Sequence, residues 1–472
     1  SSTYPSVSQT IRHDRNRTDH QGTGPLVPKT YPVWLVIPDE AAIPSAGRES
    51  LMRSILVSLF TMTLGGACGP VLSARTQGSQ MDKVVTADTQ FGLDLYAQVR
   101  AKPGNQAIAP SSVSTALSMT YAGAKGTTAE QMAKALHATL PSDQWHAARG
   151  ALKEALTPKP GAPYQLLAAD ALWGQKGQPF QDDFLSLNRN HYQAGLCELD
   201  FASNPNGSCK TINAWVAKQT RDKIKDLLPE SAITPLTRLV LTDALYFLGN
   251  WVNQFPESST YDEPFLRAAE KSANVKMMHQ TAQFGLIEDE IVQVLDLPYK
   301  GNALNMLVVL PKKVDGLSEV EADLSVAKLK QWQTALKAQK VSVSLPRFKV
   351  EVTTNLVAPL KSLGMTALFD MDQADLSGMA GRPHDLYVTD ALQKVYVDVI
   401  DRGPYRGVGR ERSVAGSDKR SARKAESVRR NSPRVGIDSH GFPRKPNRPA
   451  ACRNSVDPVP GHTIRDHPHG YN

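Results

Sequence analysis

Nine residues, Ala391-Leu-Gln-Lys-Val-Tyr-Val-Asp-Val399, alternate as a strand does, with Val395, Val397 and Val399 on one face and Tyr396 and Asp398 on the other. The pattern then stops within a single residue. Ile400-Asp-Arg-Gly-Pro-Tyr-Arg-Gly-Val-Gly-Arg-Glu-Arg412 follows, and nothing periodic returns before Asn472. A chain with this seam must pair 391–399 with strands built earlier, and what it can do depends on what belongs after Val399.

The charge changes at the same place. From Ile400 onward there are 13 Arg and 3 Lys against 5 Asp and 2 Glu, a net of +9, while the whole 472-residue chain carries +8. Everything before the seam therefore sums to −1, and a near-neutral body carries no electrostatic footprint for nucleic acid. The tail, with Lys419-Arg-Ser-Ala-Arg-Lys424 and Arg429-Arg430, lacks aromatic interleaving and helical periodicity. It reads as a basic, unstructured segment limited to non-specific polyanion binding.

Residues 1–51 are polar and aperiodic, which reads as disorder or as sequence upstream of the true start. Met52-Arg53 then precedes Ser54-Ile-Leu-Val-Ser-Leu-Phe-Thr-Met-Thr-Leu64, an apolar run of the length of an export-signal core, followed by the small residues Gly65-Gly-Ala67 and Cys68. The run is too short to span a bilayer as a helix. Residues 52–74 are thus expected to be a signal peptide, giving either plain secretion or, if the signal is of the bacterial lipoprotein type, acylation at Cys68. The location expected is extracellular or periplasmic. The four cysteines (Cys68, Cys197, Cys209, Cys452) have no metal-ligand spacing; Cys197 and Cys209 read equally well as a pair or as buried thiols.

The body, 81–399, opens with helices. Phe91, Leu95 and Val99 share a face before Pro103-Gly104, and Val113, Leu117 and Tyr121 share another behind Pro110. Thr127-Thr-Ala-Glu130 has the form of a capping box, and Ile212, Trp215 and Val216 lie on one amphipathic stripe. Strands follow. Arg238–Phe247 and Leu304–Leu310 are nearly continuous in apolar residues, as expected of strands covered on both faces, and Val341–Leu345 alternates. Helices first and strands later indicate an α+β fold on antiparallel-rich sheets. No G-x-S-x-G, H-E-x-x-H or Walker pattern occurs, no cofactor or metal is indicated, and His279 beside Met277 and Met278 reads as structural, so an enzyme is not expected.

Eight collinear segments carry a resemblance to the serpins: Asn105–Met119 with Tyr121–Gly126, Ile212–Val216, Thr237–Phe247, Leu297–Gly301, Met306–Pro311, Leu345–Lys349, Leu363–Met365 and Ala374–Gly378. The resemblance implies three β-sheets with about nine helices, a metastable central sheet and an exposed bait loop. It also implies a monomeric inhibitor of serine or cysteine proteases in which the attacking protease forms an acyl-enzyme with the bait loop and is trapped when the cut loop inserts into the sheet. Under the sheet, Ser112, Asp243 and Gln393 match the family's shutter positions, where Ala109-Pro-Ser-Ser112 replaces Ser-Pro-x-Ser, and Asp and Gln stand in place of the usual Asn and His. Trp251 matches the tryptophan of the breach, where loop entry begins.

The departures fall after Val399, where the hinge is expected. The family pattern is Glu-Glu-Gly-Thr-Glu with a run of Ala; here stand Pro404 and arginines at 402, 406, 410 and 412, and the Phe-rich C-terminal strands do not follow. The reactive bond and target protease are therefore not identified by this sequence. Read one base later with permitted codons, Arg402–Ser413 accommodates a serpin-type hinge, which suggests out-of-frame translation of 400–472.

Overall fold

A computed structural model describes residues 32–37, 57–62, 71–102, 104–193, 196–268 and 271–401; the tail from 402, Cys68 and Cys452 lie outside these. In chain order the elements are β1 (Pro32–Ile37), β2 (Val57–Met62), α1 (Val71–Val99), β3 (Gln106–Ile108), α2 (Pro110–Tyr121), α3 (Gly126–Ala135) and α4 (Ser142–Leu156). Then come β4 (Tyr164–Ala168), β5 (Ala171–Gln175), α5 (Asp182–Tyr192), β6 (Leu196–Leu199), α6 (Pro205–Gln219), β7 (Leu239–Gly249), β8 (Thr260–Ala268), β9 (Lys271–Glu288) and β10 (Val292–Pro298). The chain continues through β11 (Leu304–Pro311), α7 (Leu317–Asp323), α8 (Val326–Ala335), β12 (Lys337–Pro346), β13 (Phe348–Asn355), α9 (Val357–Ser362) and β14 (Ala391–Val399).

The strands form two ladders. One runs β13-β14-β7-β5-β6 with β4 also on β7; the other runs β12-β9-β10-β11-β2-β1-β3 with β8 on β9. The expected second and third sheets appear as one ladder because β9, at 18 residues, pairs with β8 and β12 along its length and with β10 at its end.

β7 explains the central layer. All eleven of its residues are buried, and successive side chains enter opposite faces, as strand geometry requires. Leu239, Leu241, Leu245 and Phe247 join the main core with Val395, Val397 and Val399 of β14. Val240, Ala244, Tyr246 and Leu248 join a second core with Trp173, Ile212, Val216 and Tyr396. Between them, Thr242 accepts a hydrogen bond from Trp173 Nε1 at 3.0 Å.

The structure bears on three local readings. The helix expected to start from a Thr127 capping box begins at Gly126, with Lys125 as an N-cap that makes no side-chain bond. Tertiary contacts fix that entry instead: Lys125 N donates to Asp375 O at 2.9 Å, and Asp375 N donates to Thr128 Oγ1 at 2.9 Å. Cys209 is a buried free thiol near Leu228 O, so it is not paired with Cys197. Pro32–Ile37, in the stretch read as aperiodic, form β1, and Val57–Met62, inside the apolar run read as a signal, form β2.

Candidate functional site

β14 pairs antiparallel with β13 and parallel with β7, in a register that sets Gln393 against Asp243. Gln393, fully buried, donates from Nε2 to Asp243 Oδ1 at 3.1 Å and to Ala109 O at 3.3 Å, while its Oε1 accepts from Ala109 N at 3.1 Å. One side chain thus ties the two strands to the residue before α2. Pro110 opens that helix, and Ala109 at its N-cap makes no side-chain cap bond, so it is the backbone N–H and C=O of Ala109 that Gln393 binds.

Ser112 lies in the first turn of α2, but its hydroxyl donates to Asp170 Oδ1 at 2.9 Å. Asp170 occupies the break between β4 and β5, both of which pair with β7, and Ala169 N holds that break by donating to Ala244 O at 2.7 Å. The three residues expected at the shutter do meet, and Asp170 is the fourth member that sequence reasoning missed. A lone aspartate inside Leu166-Leu-Ala-Ala-Asp-Ala-Leu-Trp173 was the available signal.

Electrostatically the site is unusual for a core. Asp243 is 2% exposed, and its Oδ2 has no hydrogen-bond partner. Burial first, then the neighbouring Asp170 charge, push its carboxyl well above the ordinary range, against the opposing bond from Gln393. Half-buried Asp170 is raised by burial, opposed by Lys153 and by the Ser112 bond. Asp243 also borders an internal cavity of about 10 Å³, at the lower limit for one water.

Trp251 sits where β14 ends. Its ring stacks on Tyr299 with centroids 4.3 Å apart, and its Nε1 donates to Ile400 O at 3.0 Å. The residue immediately after Val399 is thereby held to the far end of β7. Trp251→Phe keeps the stack and removes the donor, and is expected to cost about 1 kcal/mol, read as faster amide exchange around 399–401 with β13 unchanged. A cleft of about 1040 Å³ opens beside this point, lined in part by Trp251, Asn253, His279, Gln280, Lys300 and Ser342. His279 is anchored there, its Nδ1 3.0 Å from Ser344 Oγ, its Nε2 3.4 Å from Glu263, and its ring stacked on Tyr261. Among the described residues no cluster of His, Cys, Asp and Glu could hold a metal ion.

The geometry defines what this seam can accept. A segment that turned back after Val399 would run antiparallel to β14 and equally to β7, because those two strands are parallel. Placed between them it would exchange one parallel ladder for two antiparallel ones, the better pairing per residue. Entry requires Gln393 to separate from Asp243, so the Ala109–Gln393–Asp243 bonds lock the seam.

Comparison with known proteins agrees with this architecture. The family model for serpins (serine protease inhibitors) matches residues 86–432. The leukocyte elastase inhibitor of Equus caballus is 39% identical over 333 residues, covering 68% of this chain and 87% of the relative. An uncharacterised serpin-like protein of Thermococcus kodakarensis is 36% identical over 327 residues, covering 69% of this chain and 74% of the relative. Among solved structures, ovalbumin from emu (Dromaius novaehollandiae) superposes with a TM-score of 0.64 at 30% identity, covering 68% of this chain and 87% of ovalbumin. A fold, a parallel central seam and sequence matches that all coincide over the body place this chain in the serpin family, with protease inhibition as its ancestral activity.

Proposed function

We propose that the body is a loop-insertion protease-inhibitor scaffold and that the chain with the residues now following Val399 does not itself trap a protease. The observation carrying this reading is the pairing of a fully buried β7 with an arginine-rich successor to β14. In an extended strand, residues 402, 404, 406, 408, 410 and 412 share one face, which here holds Arg, Pro, Arg, Val, Arg and Arg. Both faces of the central sheet are cores, so insertion would bury the guanidiniums without partners, at several kcal/mol each. Pro404 would in addition leave a gap in the new ladder. A gain from better strand pairing cannot offset that sum.

Incubation with trypsin-, chymotrypsin- and subtilisin-like proteases is expected to give cleavage in the Arg-rich segment, no SDS-stable complex and no rise in the melting temperature of the cut body. A covalent complex, or a large rise in melting temperature after limited proteolysis, would overturn the proposal. Out-of-frame translation accounts for the same segment; the base sequence tests it, since an early stop codon and no hinge in the shifted frame would exclude it.

A further inference from the structure

The second ladder is continuous only because two N-terminal segments stand in its middle. β2 pairs antiparallel with β11, Val57–Met62 against Val309–Leu304. β1 pairs antiparallel with β2, and its residues Leu35–Ile37 pair with Ile108–Gln106 of β3. β1 also lies against α1 and α2. Remove the pair and β11 and β3 face each other across three strand spacings, roughly 14 Å, an opening that one strand cannot bridge and two antiparallel strands fill.

With β1 and β2 in place, the edges they fill are interior. Leu304, Met306, Leu307, Val308 and Val309 of β11 are each at most 5% exposed, and Ala107 and Ile108 of β3 are each 1% exposed. Backbone N–H and C=O groups along them would be left without partners in an apolar surround, a cost that folded proteins avoid. The occupants therefore do more than cover a surface.

The run that supplies β2 is the one whose composition also fits an export signal. Those two uses are incompatible in one molecule, because a signal cut ahead of α1 would take β1 and β2 with it. We propose that residues 32–37 and 57–62 are the chain's built-in occupants of a two-strand slot between β11 and β3, retained in the folded protein, so that proteolysis between Met62 and Val71 is the event that opens the slot. The inference does not depend on whether the region after Val399 can trap a protease.

Amide exchange on the intact full-length chain tests it. Amides 57–62 are expected to be protected to the same degree as amides 294–297 of β10, and the purified chain to keep its N-terminal residues by mass. β2 has a strand on each side, so every one of its N–H groups serves one neighbour or the other, and Leu59→Pro must remove a ladder bond. That variant is expected to speed exchange in 304–309 and 106–108 by about tenfold or more while leaving the β13–β14 pair unchanged. If Leu59→Pro does not fold, exchange on the unmodified chain decides alone. Unprotected amides at 57–62 in the folded full chain, or a Leu59→Pro variant with unchanged exchange in β11, would overturn the proposal.

Discussion

Asp243→Asn is expected to raise the melting temperature at pH 7.5 and to flatten its dependence on pH. The folded state holds the Asp243 carboxyl well above its ordinary value, so between the unfolded and folded values the native protein binds the extra proton. Stability from this group is then fully present below about pH 3.8 and is lost as pH rises through the folded value. The penalty grows with pH until the folded value is passed. The charged groups that face the carboxyl are Asp170, at the break between β4 and β5, and beyond it Lys153 of α4, which acts on Asp170. An amide keeps the acceptor for Gln393 and removes the charge, for a gain of roughly 1–3 kcal/mol at pH 7.5, equivalent to a few degrees. Asp170→Asn is expected to do less, because that carboxyl has the Ser112 bond and lies near a lysine. Asp296, held at about 6 by burial against its Asn305 bonds, adds a slope of the same sign, so the Asp243→Asn profile should retain that residual slope. Thermal unfolding of the two variants between about pH 4 and 8 reads both effects; an Asp243→Asn variant that melts lower than the parent at pH 7.5 would show that the carboxylate is not strained there.

How much of this was legible in the sequence depends on whether a signal was local. β7 and β14 were readable because length, apolar continuity and alternation all pointed the same way, and the Gln393–Asp243 adjacency followed from the serpin resemblance. Asp170 was marked only as a lone aspartate in an apolar run, and its partner Ser112, 58 residues away, could not be read from that signal. The start of α3 was misread because Thr127-Thr-Ala-Glu130 has the form of a cap, whereas Asp375 sets the entry from a different part of the fold. β2 posed the deepest ambiguity. An apolar run without period fits a signal core, a buried strand or a buried helix equally well, and its placement as β2 beside β11 depends on partners more than 240 residues away.

Arg149→Ala is expected to be the most damaging single substitution in the helical layer. Arg149 and Asp88, 1% and 3% exposed, form an ion pair linking α4 to α1. Nη1 donates to Asp88 Oδ2 at 3.1 Å and to Ser114 Oγ at 2.8 Å, Nη2 donates to Asp88 Oδ1 at 2.5 Å, and the guanidinium lies 4.9 Å over the Trp145 ring. The charges do not make this pair a net source of stability, because desolvation of both ions offsets their attraction. Removing one partner is different: it strands the Asp88 carboxylate in the core and should cost about 3–5 kcal/mol. The double replacement Asp88→Leu with Arg149→Met removes both charges together and is expected to lie within about 1 kcal/mol of the parent or above it. The pair matters to the seam because Ser114, which it grips, belongs to α2, the helix whose first turn carries Ser112 and whose preceding residue Ala109 is bonded to Gln393. Arg149→Ala should therefore speed amide exchange across the β7–β14 pair as well as lower global stability. Chemical unfolding of the three variants, with exchange at 391–397, separates the cases: a loss below about 1 kcal/mol for the single change would mean that water reaches Asp88, and a global loss with an unchanged seam would mean that α2 does not transmit the defect.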